Sequence, residues 1–372
     1  MKSNVRVAHK TLIAELRGYA KPNTAKGLKV FLIDFTLFWL SLAGVVLLPS
    51  LPLKIAASLF AGSRIGALIA IAHEAAHNAL VVSRRLNWWI AVLSFAPGLF
   101  NYRLWLFDHH HLHHAATNAA LVNSYQPMTL AEYEALSAWG RWKIRFFRSG
   151  NPLSFGIYYI TQRWWLVNFK PGSFLPARMQ ASARKHFFGL SLYAAASLAF
   201  FAFAAPQIGP VSAPVAILLG FFAPFFVGQS LFAVVLYIQH THPDIPWIAA
   251  MDEGKNPDLD AQIDAEHLSF HLFLPTWASA IAHHSLEHPV HHVMPLIPCY
   301  ELRAAQARMN ELMGSDAFVE AFSAKRLLDT FRICKLYDYE RRQWIGFDGV
   351  PTAPAWVPFD QRPPVEAPSP PQ

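Results

Sequence analysis

Four apolar runs stand out from a chain that is otherwise polar and basic: Val30–Leu48, Leu51–Ala72, Phe187–Ala205 and Pro214–Ile238. Each approaches the roughly 20 residues that a helix needs to cross a hydrocarbon core. Pro49, Ser50 and Pro52 separate the first two runs, and the uncharged stretch Pro206–Pro214 separates the last two. The pattern predicts two membrane-spanning hairpins whose short outer turns leave no room for a domain. Nearly everything polar falls on the other side. Lys2, Arg6, Lys10, Arg17, Lys21 and Lys26 precede the first run, and Arg141, Lys143, Arg145, Arg148, Arg163 and Lys170 are among the cations of the central loop. By the positive-inside rule both termini and that loop are expected in the cytosol. Leu86–Phe107 is also apolar, but Pro97, Gly98 and Arg103 interrupt it, so it reads as half-buried helix rather than a span. Its tryptophans, with Trp164 and Trp165, suit an aromatic belt or a core equally well.

Composition narrows the class. Of 372 residues, 53% are hydrophobic and only 15% are charged, against about 25% charged in soluble domains. Together with a positive mean hydropathy, this excludes an ordinary soluble enzyme. The net charge of +7 is explained by topology and anionic lipid headgroups, so membrane lipids are expected as partners and nucleic acid is not. Cys299 and Cys334 form no disulfide framework and agree with a reducing compartment. The first apolar run is long enough to stay in the bilayer, unlike a cleaved secretory signal. The expected organisation is a basic segment at 1–28, a membrane domain at 29–330, and an extension at 331–372 that turns proline-rich and disordered from Pro351.

The candidate chemistry lies in histidine. His73 and His77 stand in HEAAH, His110, His113 and His114 in HHLHH, and His288, His291 and His292 in HPVHH. Spacings of three and four put side chains on one helix face, and neutral imidazole is the commonest metal ligand among side chains. The predicted topology sends all three clusters to the cytosolic face. A fourth element, Gln239-His240-Thr241-His242-Pro243, begins where the last span ends, and His240 could supply a ninth nitrogen. A zinc site closes with four ligands or keeps one position open with three, so this many imidazoles point to two ions. Imidazole alone leaves zinc, copper, nickel and iron open. Glu74, Asp108, Asp244 and Glu287 sit beside ligand candidates, where a carboxylate can orient an imidazole through its second N–H. His284 lies one turn before His288 and is a further candidate for such a role. His9, His186, His267 and His271 read as structural, and His109, His111 and His283 as neighbours of the clusters.

Two other readings compete. His73-Glu74-Ala75-Ala76-His77 also matches the HExxH of zinc proteases, in which Glu is the general base, and Asn256-Pro257-Asp258-Leu259-Asp260 offers a downstream carboxylate. Histidines can also line a proton or metal path through a membrane. Neither reading accounts for three clusters converging on one face.

The order HxxxH, HxxHH, HxxHH, with the spans between, resembles the membrane fatty acid desaturases. So does His291-His292-Val293-Met294-Pro295-Leu296-Ile297-Pro298-Cys299-Tyr300-Glu301-Leu302, which is similar to the family's HHxxPxIPxYxL ending. The likeness runs from about His73 to Leu302, and the QHTHP segment is similar to the branch that acts near the methyl side of acyl lipids. The first box departs from the common HDxxH, with Glu74 in place of Asp. The resemblance implies two irons held by the histidines, molecular oxygen as co-substrate, and two electrons from a ferredoxin or cytochrome b5 type donor. It implies an oxygen-dependent desaturase acting on a fatty acyl chain bound to lipid, CoA or a carrier protein. A hydroxylase or ketolase acting on an acyl chain, carotenoid or sterol would keep the same site. An unactivated chain offers no polar handle, so its position must be set by an apolar tunnel. No His-Pro-Gly-Gly of a fused cytochrome b5 occurs, so the donor is expected to be a separate protein. The expected fold is all-α: four transmembrane helices in two hairpins, with a cytosolic helical cap carrying a polyhistidine di-metal site.

Overall fold

The computed structural model describes residues 9–120, 123–249, 265–314 and 317–357. Asn256–Asp260, Lys2, Arg6 and most of the proline-rich tail lie outside them.

Four helices are long and apolar enough to cross a membrane: Thr24–Leu47, Leu51–Ala76, Ala177–Ile208 and Ala213–His240. They confirm the four expected spans and extend most of them toward the polar side. The first begins at Asn23, whose side chain accepts from the Lys26 N–H and caps a free amide of the opening turn. Pro52 sits in the first turn of the second, where its missing N–H costs nothing. The hairpin between them closes on Lys54, whose buried Nζ donates to the Val45 and Val46 carbonyls at 2.9 Å each. These are carbonyls that the end of the first helix would otherwise leave unsatisfied in lipid.

The second span is the most buried of the four and the third the least. Close approach of the second and fourth spans depends on small residues. A Cβ at Gly62 would stand 2.5 Å from Val227 Cβ, and one at Gly228 would stand 2.4 Å from Ile65 Cγ2. Gly62 and Gly66 are spaced as in the small-xxx-small seams that let membrane helices pack backbone to backbone. Arg64, on the same helix, faces inward. Its Nη1 donates to Asp34 Oδ1 of the first span at 2.5 Å, while Asp34 Oδ2 accepts from His283 Nε2 at 2.7 Å. Charge inside a span survives by pairing in this way.

The other described elements connect at the end of the bundle where the second and fourth spans finish. Helices Arg84–Phe95 and Tyr102–Leu106 replace the interrupted run, and Pro152–Tyr158 packs against the fourth span. Helices His288–Val293 and Cys299–Met313 build the cap with short β elements. β1 (His271–Phe273) pairs in parallel with β2 (Val319–Ala321), and β3 (Leu336–Asp338) pairs antiparallel with β4 (Gln343–Ile345). These three-residue strands leave the fold essentially helical. The C-terminal extension is tied to the cap: Trp344 Nε1 donates to the His242 carbonyl at 3.0 Å, and Tyr337 Oη accepts from the Trp247 N–H at 3.2 Å. The proline-rich run begins packed rather than disordered, because Trp356 is buried and its N–H donates to the Arg342 carbonyl at 2.9 Å.

Candidate metal centre

Four segments deliver histidines to the polar end of the bundle. His73 and His77 occupy the last turn of the second span and its cap. His240 is the last residue of the fourth. His288, His291 and His292 share the short helix that follows the turn at His283 and His284, where φ is +50° and +56°. The remaining segment is unusual: Phe107–His113 winds as a π-helix, closed by the His114 N–H donating to the His109 carbonyl at 3.0 Å. Such wide turns are rare and cluster at functional sites.

The side chains form two adjoining groups. In the first, ring nitrogens of His73, His77, His109, His114 and His291 all lie within 4.8 Å of one another; in the second, those of His113, His240, His288 and His292 do so. Nε2 atoms face each other in the interior, His114 to His109 at 3.0 Å, His291 to His114 at 3.2 Å, His288 to His240 at 2.8 Å and His292 to His288 at 2.9 Å. The groups touch through His114 and His292, whose ring centroids are 4.7 Å apart.

Four of the outer nitrogens are held by the protein. His73 Nδ1 pairs with Glu74 Oε1 at 3.0 Å, His292 Nδ1 with Thr117 Oγ1 at 3.3 Å, and His240 Nδ1 donates to the Leu268 carbonyl at 3.3 Å. His113 Nδ1 lies 3.4 Å from Asn123 Oδ1, itself held by the Asn123 amide, which donates to the Ala116 and Ala119 carbonyls. A hydrogen bond on one ring nitrogen fixes the tautomer and leaves the other with a lone pair for a metal.

Electrostatics favour the same state. Burial first, then the neighbouring imidazoles, push His288, His291, His292 and His109 well below the ordinary imidazole range. Burial and His113 lower His114 to about 2, and burial lowers His113 and His110 to about 4. Neutral imidazole is the ligating form. Nε2 of His77 and of His113 is buried with no hydrogen-bond partner among the described residues. Orphaned acceptors of this kind are costly unless something fills the space they face. A donor set of neutral, convergent nitrogens in two groups, four of them braced from outside, fits two metal ions.

The expected residues do not all fall where spacing puts them. His110 stands outside both groups, stacked on His77 with centroids 4.3 Å apart and Nε2 buried without a partner among the described residues. His109 takes the inward place because the π turn shifts the ring phase by one residue. Asp108 turns from the histidines to Arg163, with Nη2 contacts of 2.8 and 3.1 Å. Asp244 is half exposed and near His242 at 3.6 Å. Glu287 accepts from Ser279 Oγ at 2.7 Å and lies 3.5 Å from His284 Nδ1. Burial opposes its ionisation, but His284 and Ser279 outweigh that and hold its carboxyl below the usual range. His284 bonds Ser279 at 2.7 Å and, on left-handed backbone, is not stacked over His288. Thr117 and Asn123 escaped sequence reasoning because nothing in one chain marks a contact made across a fold. His109 could have been suspected from the run His109-His110-His111, which keeps an imidazole available in any register.

Beside the groups lies a cavity touched by His109, His113 and His240 and walled by Trp105, Tyr159, Phe232, Leu236 and Trp247, with Asp108, Asn123, Ser124 and Arg163 on its polar side.

The fatty acid desaturase family model matches residues 49–320. An sn-1 oleoyl-lipid 12-desaturase of Synechocystis sp. is 24% identical over 302 residues, 80% of this chain and 79% of that protein. A fatty acid desaturase of Bacillus subtilis is 26% identical over 369 residues, 95% of this chain and 96% of its own length. A Synechocystis protein named sn-1 acyl-lipid omega-3 desaturase (ferredoxin) is 27% identical over 260 residues, covering 69% and 67%.

Proposed function

Because the chain belongs to the fatty acid desaturase family, we propose that it forms a double bond in a fatty acyl chain by means of a histidine-held di-iron centre. The observation that carries this is the pair of adjoining imidazole groups at the ends of two spans, opening onto a mostly apolar cavity. One metal would be held by His73, His77, His114 and His291 with His109 or His110, the other by His113, His240, His288 and His292. When bound, iron supplies the one-electron chemistry with oxygen that no side chain can perform. In the overall reaction two adjacent methylenes each lose a hydrogen. Oxygen is reduced to two waters, with the other two electrons and two protons coming from outside.

The chain's own residues hold and shield. Glu74, Thr117, Asn123 and the Leu268 carbonyl orient the rings; Trp105, Tyr159, Phe232 and Leu236 offer the apolar surface against which an acyl chain lies and from which water is excluded. Glu74 Oε1 braces the Nδ1 edge of His73, a ring-orienting role that the desaturase reading uses and a protease base would not need. With the basic loops in the cytosol, the site opens to the side where a soluble electron donor resides. A ferredoxin-type partner is supported by the printed name of one relative and by complementarity between an acidic donor and a basic face.

The test is expression in a host of defined fatty acid content with a ferredoxin system, followed by gas chromatography and mass spectrometry of total acyl chains. A peak two mass units below its parent, absent from a His113→Ala control, is expected, with iron in the purified protein. A hydroxylated or keto product would keep the centre and change the reaction. Bound zinc without iron, and no new lipid, would refute it.

A further inference from the structure

Phe232, Leu236 and His240 stand four residues apart on the fourth span, one above another on a single helical face. All three line the cavity. At 1.5 Å per residue Phe232 lies about 12 Å deeper in the span than His240. Its ring is clamped edge-on by Phe100, at 5.6 Å and 89°, and by Tyr159, at 5.2 Å and 83°. Asp108, Asn123 and Arg163 give the cavity its polar lining, and of the fourth span's lining residues Phe232, an aromatic plug packed between Phe100 and Tyr159, lies farthest from His240. A carboxyl or carrier group would be left unpaired at that plug, at a cost a methyl end does not incur.

We propose that Phe232 is the specificity residue of this enzyme: it is the stop for the methyl end of the acyl chain and sets how many carbons lie beyond the metal centre. The inference rests on the desaturase reading. Shortening the side chain lets the chain slide deeper, which moves the new double bond toward the carboxyl end or admits longer chains. Since a methylene of misfit in an apolar pocket is worth roughly tenfold to a hundredfold in discrimination, the shift reads as a change of that size in product ratio.

The experiment compares wild type, Phe232→Ala, Phe232→Leu and Phe232→Trp in the same host, with double-bond positions read by mass spectrometry of derivatised acyl chains. Iron content of each purified variant is measured in parallel. Phe232→Ala is expected to shift the isomer or chain-length ratio at least tenfold in the deeper direction, Phe232→Leu less, and Phe232→Trp in the opposite direction. Phe232→Leu carries the test if the alanine variant does not fold. Unchanged product ratios in iron-loaded, active variants would overturn the inference and leave the desaturase reading standing. No product from iron-loaded wild type would overturn both.

Discussion

Asp34→Ala removes the only anion that the described residues place between Arg64 of the second span and His283 of the turn before the third histidine cluster. The carboxylate is 3% exposed and the guanidinium 12%, so water cannot take over its role. Removing one member of a buried ion pair costs about 3–5 kcal/mol, because the other charge stays behind unpaired. Placing an arginine at mid-membrane on insertion scales costs a similar roughly 2.5–3.5 kcal/mol. At roughly 2 °C per kcal/mol, the lower end for large domains, the variant should melt about 6–10 °C below wild type in detergent. The penalty arises from the stranded cation, so Asp34→Ala combined with Arg64→Met should recover most of it, whereas Asp34→Asn, whose single amide oxygen can still accept from Arg64, should lose less than alanine. Thermal unfolding followed by tryptophan fluorescence measures all four proteins. Asp34→Ala melting within 1 °C of wild type, or the double variant melting below Asp34→Ala, would refute the account of Asp34 as a necessary counter-charge.

Other outcomes follow from the site. His109→Ala should lower the iron content of the purified protein more than His110→Ala, by elemental analysis; the reverse order would mean that the α-helical spacing, not the π turn, sets the ligand register. Glu74→Gln should weaken metal affinity about 10–100-fold while product still forms at saturating iron; complete inactivity with full metal content would restore the protease reading. In chelator-treated protein, burial and neighbouring imidazoles hold His113 near 4 and His114 near 2, against 6.5 in an unfolded chain. Below pH 6.5 the unfolded state binds protons that the fold refuses, so the stability present above 6.5 is lost as pH falls toward 4, at about 1.4 kcal/mol per pH unit for each such ring. Melting temperatures of the metal-free protein that stay flat from pH 7.5 to 5 would contradict this.

The spans were legible because apolar length is a property of a contiguous segment, and the runs at Val30 and Leu51 needed nothing else. Their ends were less so: the first helix reaches back to Thr24 because Asn23 caps it and the basic residues there can extend their charges outward. The convergence of the clusters was also legible, since topology alone sends His73, His240 and His288 to one end. What sequence does not mark is anything decided across the fold. Asp108 stands among histidines in sequence, yet Arg163, 55 residues away, is the stronger electrostatic partner. Asp34 carries no local mark because its partners lie 30 and 249 residues away. α-Helical spacing favours His110 over His109, and a local sequence does not announce a change of helical pitch.

That change of pitch bears on how this chain tolerates alteration. A π turn spends one more residue per coil than the α-helix around it, so Phe107–His113 holds its histidines at a phase that a single deletion would cancel. Losing His111, which belongs to neither ring group, would bring His109 and His110 one residue closer to His113 and His114, so the two halves of the segment could no longer present their rings at the present spacing. Substitutions at that position should be cheap and deletions ruinous. In a comparison of relatives, the segment would then be one where length is held constant while the identity of its middle residue drifts.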